Sequence, residues 1–64
     1  MVFRGSVSGT RDVGEDVEIA VVNVRWKGAA TWRNYNSEIK FMVPLSKARA
    51  FWAGRAVRIE VVPK

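Results

Sequence analysis

Val17-Glu18-Ile19-Ala20-Val21-Val22-Asn23-Val24-Arg25-Trp26 is the stretch that decides the fold. It is rich in β-branched residues, whose stiff side chains favour an extended backbone. Its alternation changes phase midway: Val17, Ile19 and Val21 share one face of a strand, whereas Val22, Val24 and Trp26 share the other. Successive side chains of a strand point to opposite faces, so the shift demands a bulge, a sharp bend or burial on both faces near Val21 and Val22. Small barrels bend their long strands in this way to close.

Outward from this segment the chain continues to read as β. Residues 2 to 8 alternate, with Phe3 and Val7 on one side and Arg4, Ser6 and Ser8 on the other. Gly9, Asp12 and Gly14 punctuate a polar stretch that predicts a turn or hairpin connection. On the other flank, residues 27 to 37 follow neither period and contain Gly28, Asn34 and Asn36, which predicts a long loop and a place to look for function. Glu38 to Val43 alternates again with Ile39, Phe41 and Val43 facing in, until Pro44, which lacks a backbone donor, ends the strand. Ser46 is placed to cap a short helix running to about Ala53, with Ala48, Phe51 and Trp52 on its packing face and Gly54 as its left-handed terminator. Arg55 to Val62 forms the last strand, directing Val57, Ile59 and Val61 one way, and Pro63 closes it.

Counting the bent segment as two strands gives a single mainly β domain over residues 1–64. The architecture expected is a small SH3-like or OB-like barrel of four to five strands with one short helix before the last strand. Closure would protect strand edges that a short open sheet exposes. A dimer sharing one sheet is the competing architecture. The stretch from Phe41 to Val62 resembles the strand, proline, short helix, strand half of AbrB-type swapped-hairpin dimers, and that resemblance implies DNA binding. It covers the last third of the chain, and Gly54-Arg55 stands where the family has a Gly-Asp turn.

A chain of 64 residues holds one core and no second domain. Without cysteine it has no disulfide, thiolate metal site or thiol nucleophile, so packing or a partner subunit must stabilise it. A hydrophobic fraction of 48% and seven aromatic residues are ample for a small core. Apolar runs of four or five residues, interrupted by charge, are too short to span a bilayer or to serve as a secretory signal. The expectation is a cytoplasmic protein that starts at or near Met1 and does not engage a membrane.

Eleven Lys and Arg against six Asp and Glu give a net charge of +5, which favours polyanionic partners. The acids cluster: Asp12, Glu15, Asp16 and Glu18 account for four of the six, and their spacing fits no calcium loop. From residue 19 onward nine basic residues face two acidic ones. With no histidine and no cysteine the chain lacks the usual general base, transition-metal ligand and reactive nucleophile, and no glycine-rich phosphate loop is present. A non-catalytic protein without metal or cofactor is expected.

The constellation most suggestive of function lies in and beside residues 27 to 37, where cationic and aromatic side chains interleave as they do in proteins that hold single-stranded nucleic acid. Arg25, Lys27, Trp32, Arg33, Tyr35 and Asn36 form it, with Lys40 and Arg58 on neighbouring strands as further phosphate contacts, while Asn34 and Asn36 can hydrogen-bond base edges or sugars. Trp26, Phe51 and Trp52 are read as core. Trp32 and Tyr35 are read either as exposed stacking platforms or as a cap on an open barrel end. The function expected is binding of DNA or RNA mainly through its backbone. The rival is a protein-interaction module, because Trp, Tyr and Arg also dominate protein hot spots.

Overall fold

Two twelve-residue strands, β1 (Val2–Val13) and β2 (Asp16–Lys27), pair antiparallel and form the frame of a mainly β fold. Residues 1–28 and 31–64 are described by a computed structural model. The connection between the strands is tighter than the sequence suggests. Thr10 to Val13 stay in the ladder opposite Asp16 to Ile19, and the turn is reduced to Gly14, at φ 62°, and Glu15. Polar side chains do not break a strand whose backbone groups are all paired, and Arg11 adds an ion pair to Glu18 at 3.4 Å.

The phase change of β2 is resolved by bulges. Between the pairs Arg4 with Arg25 and Ser6 with Val22, the single residue Gly5 of β1 faces two residues of β2, Asn23 and Val24. A compensating extra residue, Ser8, lies on β1 between the pairs Val7 with Val21 and Gly9 with Ala20. Asn23 absorbs the distortion with a left-handed φ of 54°, a conformation that Asn tolerates better than β-branched neighbours would. Val24 thereby turns back to the side occupied by Val17, Ile19 and Val21. Together with Val7 these form the buried core, each at most 2% exposed.

Three further strands use the remaining edges. β3 (Trp32–Asn34) and β4 (Ile39–Pro44) lie along the free edge of β2, β3 beside Arg25 to Lys27 and β4 beside Asp16 to Val21. β5 (Ala56–Glu60) pairs with Val2 to Ser6 of β1. Phe3 from β1, Ile39, Phe41 and Val43 from β4, and Val57 and Ile59 from β5 pack onto the core. All five strands belong to one antiparallel sheet, ordered β3-β2-β1-β5 with β4 beside β2, and the sheet is not closed into a barrel by hydrogen bonds. The two strands of the Phe41 to Val62 stretch, β4 and β5, pair with β2 and β1 and not with each other. No helix among the described residues is long and apolar enough to cross a membrane.

Two local expectations are corrected. Residues 27 to 37 are not one loop: they contain β3, which forms a hairpin with the end of β2, while Ala29 and Ala30 lie outside the described residues. The helix is a 3₁₀ segment, Leu45–Ala50, without a side-chain cap from Ser46. A three-residue spacing keeps Ala48 and Phe51 on the core side, but the segment ends at Ala50, and Trp52, in the irregular stretch beyond it, is 59% exposed under the Arg55 guanidinium at 4.3 Å. Phe51 meets Phe41 edge to face at 5.6 Å, and Gly54, at a positive φ of 91°, lies in a separate turn closed by Arg55 N–H to the Trp52 carbonyl oxygen and does not terminate the 3₁₀ segment.

Gly5 has no room for a side chain, since an added Cβ would stand 2.6 Å from Val21 Cγ1 and 2.8 Å from the Val22 carbonyl oxygen. Gly5→Ala is therefore expected to cost about 1–3 kcal/mol through overpacking. Trp52→Ala, which removes one exposed cation–π contact, should cost under about 1 kcal/mol. Urea denaturation of the two variants checks the pair of values.

Candidate nucleic-acid interface

Residues directly opposite each other in a sheet project from the same face, so the register fixes which side chains become neighbours. Arg4 of β1 stands opposite Arg25 of β2 on one edge and opposite Arg58 of β5 on the other, and Arg25 in turn stands opposite Asn34 of β3. Asn34, Arg25, Arg4 and Arg58 thus form one line across four strands, with successive Cα atoms about 5 Å apart, and all four are exposed. The next line on this face reads Trp32, Lys27, Val2 and Glu60. The intervening line, on the opposite face, is Arg33, Trp26, Phe3 and Ile59.

Three arginines in register are unfavourable for folding, because like charges directly opposite one another repel. Little neutralises them. Glu60 reaches Arg58 at 3.6 Å, whereas Arg4, Arg25 and Lys27 have no ion-pair partner among the described residues. Arg4 instead lies 4.9 Å from the centroid of the Trp32 ring. Because β2 separates their strands, this contact spans the outer surface of β2, and the indole's electron-rich face partly satisfies the cation. The acidic cluster is at the far end of the same hairpin, where Asp12 pairs with Val17 and Val13 with Asp16. Eight residues of strand separate Arg4 from Asp12, on the order of 25 Å, which leaves the basic line largely beyond the reach of those carboxylates at physiological salt.

The site residues expected from the sequence separate accordingly. Arg25, Lys27, Trp32 and Arg58 come together on the outer face. Arg33 and Tyr35 belong to the opposite side: the Arg33 guanidinium sits 5.9 Å from the Trp26 ring, and Tyr35 packs edge-on against Phe3 at 5.4 Å. Trp32 is half-buried beneath Arg4, whereas Tyr35 is 41% exposed with one side of its ring braced by Phe3. Asn36 is exposed beyond the end of β3. Lys40 is opposite Ala20, five residues along β2 from Arg25 and on the order of 15 Å away, and is paired with Glu38 at 3.3 Å. Arg4, the centre of the line, was missed. Its outward direction is readable from the alternation, but its neighbours depend on the bulge.

Comparison with protein-family models, curated proteins and solved structures finds no match to this chain.

Replacing Arg25 removes its repulsion with Arg4, the cation it faces across the β1–β2 pair. Arg25→Gln is expected to leave the fold equally stable or stabilise it by about 0.2–1 kcal/mol at low salt, with the gain shrinking as salt is added. Urea denaturation at low and high ionic strength measures it, and a clear loss of stability at low salt would contradict the proposed repulsion.

Proposed function

We propose that this protein is a non-catalytic nucleic-acid-binding domain that holds the phosphate backbone of DNA or RNA against the outer face of its sheet. The observation that carries the reading is the line of Arg4, Arg25 and Arg58, three guanidiniums in register with one carboxylate at the end of the row. A surface that keeps a destabilising charge arrangement is poised to gain free energy when a polyanion arrives. Arginine forks also match the geometry of phosphate oxygens. Lys27 and Asn34 extend the row toward β3, and Trp32 offers a ring beside it.

The bent β2 and the β3-β2-β1-β5 order support describing the domain as a half-open barrel of the SH3-like or OB-like kind. In that description apolar side chains such as Phe41, Phe51 and Val57 fill the seam that no hydrogen bonds close. A cytoplasmic location is part of the proposal, on the composition alone. The protein-partner reading has support elsewhere: Leu45, at the start of the 3₁₀ segment, and Trp52, just past its end, are large apolar groups at 63% and 59% exposure.

Fluorescence titration of labelled single- and double-stranded oligonucleotides tests the proposal. Log affinity should fall with log salt at a slope of about 3, corresponding to three or four phosphates neutralised. Arg4→Gln, Arg25→Gln and Arg58→Gln should each weaken binding and reduce the slope by about one. Absence of binding at about 50 mM salt would reject the nucleic-acid reading and leave the surface around Leu45 and Trp52 as the interaction site.

A further inference from the structure

The bulge that organises the core also builds a groove. Asn23, Val24, Arg25, Asn34, Tyr35 and Asn36 line an open hollow of about 410 Å³, within the roughly 300–1,000 Å³ typical of small-ligand pockets. Three of these six residues are asparagines brought from separate places: Asn23 from the bulge of β2, Asn34 from the end of β3, and Asn36 from the segment beyond it. A carboxamide both donates and accepts, and it can read the edge of a nucleobase through two hydrogen bonds. None of the three makes a side-chain hydrogen bond to another protein group among the described residues.

Tyr35 supplies a wall. Its backbone N–H donates to the Val24 carbonyl oxygen at 2.9 Å, which ties it to the bulge. Its ring is braced by Phe3 at an interplanar angle of 72°. On its other side Tyr35 borders an apolar recess with Met1, Phe3 and Trp26. Arg25 belongs both to this hollow and to the basic line, so a phosphate held there brings the attached nucleotide to the mouth of the groove.

We infer that this groove takes one unstacked base of a single-stranded nucleic acid, with Tyr35 as the stacking surface and Asn23, Asn34 and Asn36 as the groups that meet its edge. The inference rests on the backbone-binding reading above and sharpens it to single strands. In a duplex the base faces are already stacked and the pairing edges are occupied, so neither Tyr35 nor the three carboxamides gain a partner. A strand without bases would engage only the arginines.

The test compares three labelled probes of equal length at one salt concentration: a single strand, its duplex, and an abasic strand with the same number of phosphates. The wild-type protein should bind the single strand at least about tenfold more tightly than the other two. Tyr35→Ala should weaken single-strand binding by roughly 5- to 100-fold. Asn23→Gly is the variant that separates binding from folding, because glycine adopts the left-handed backbone of the bulge without strain. It should keep the melting temperature and the affinity for duplex and abasic probes while weakening single-strand binding several-fold, and Asn36→Ala should behave likewise. Equal affinity for all three probes, unchanged in these variants, would overturn the base-groove inference while leaving backbone binding intact. Binding to none of the probes would overturn both.

Discussion

One residue of β1, Gly5, faces two residues of β2, Asn23 and Val24, and the rest of the sheet is arranged around that mismatch. Without the extra residue, the alternation of β2 would place Val24 and Trp26 on the side away from Val17, Ile19 and Val21, and the core would be cut in half. With it, both halves of the strand bury their valines together. The close approach is possible only because Gly5 has no side chain to strike Val21 and the Val22 carbonyl. The bulge also divides the outer edge of β2 into two sites, one taken by β4 and one by β3.

Charge placement follows from the same feature. Past the bulge, Arg25 is opposite Arg4, and the short β5 sets Arg58 on the other side of Arg4. A register slip of one residue at β2 would instead bring Arg4 opposite Val24 or Trp26, and the basic line would not exist. At the opposite end of the hairpin four of the six acids gather around the Gly14 turn, with Arg11 among them, while Arg4, Arg25, Lys27 and Arg58 collect at the other end. Such a distribution orients a small basic protein toward a polyanion before contact.

Much of the fold is legible in the sequence because burial repeats with the strand period. Val7, Val17, Ile19, Ile39, Phe41, Val43, Val57 and Ile59 are all recognisable as inward-facing from alternation alone, and the phase change in β2 announces an irregularity. Trp32 to Asn34 is too short for any period to show, and it becomes a strand only because β2 offers an unpaired edge. Trp52 is misplaced when the helix is extended to Ala53, since the 3₁₀ segment after Pro44 ends at Ala50 and Phe51 has already left helical geometry, at φ −118° and ψ 67°. The candidate site is legible only in part. Arg25, Lys27, Trp32 and Arg58 are identifiable as exposed cations and a ring, but their convergence with Arg4 is a property of register, and the gathering of Asn23, Asn34 and Asn36 depends on the bulge and the β3 hairpin together.

The register of β1, β2, β3 and β5 creates one basic line, which is proposed to receive a nucleic-acid backbone. Amide chemical-shift mapping of the isotopically labelled protein during titration with a short single-stranded oligonucleotide tests it most directly. Perturbations should concentrate at Arg4, Arg25, Lys27, Asn34 and Arg58 and spare both the Gly14 turn and the segment from Leu45 to Trp52. Perturbations centred on Leu45 and Trp52, or spread evenly over all eleven basic residues, would contradict it.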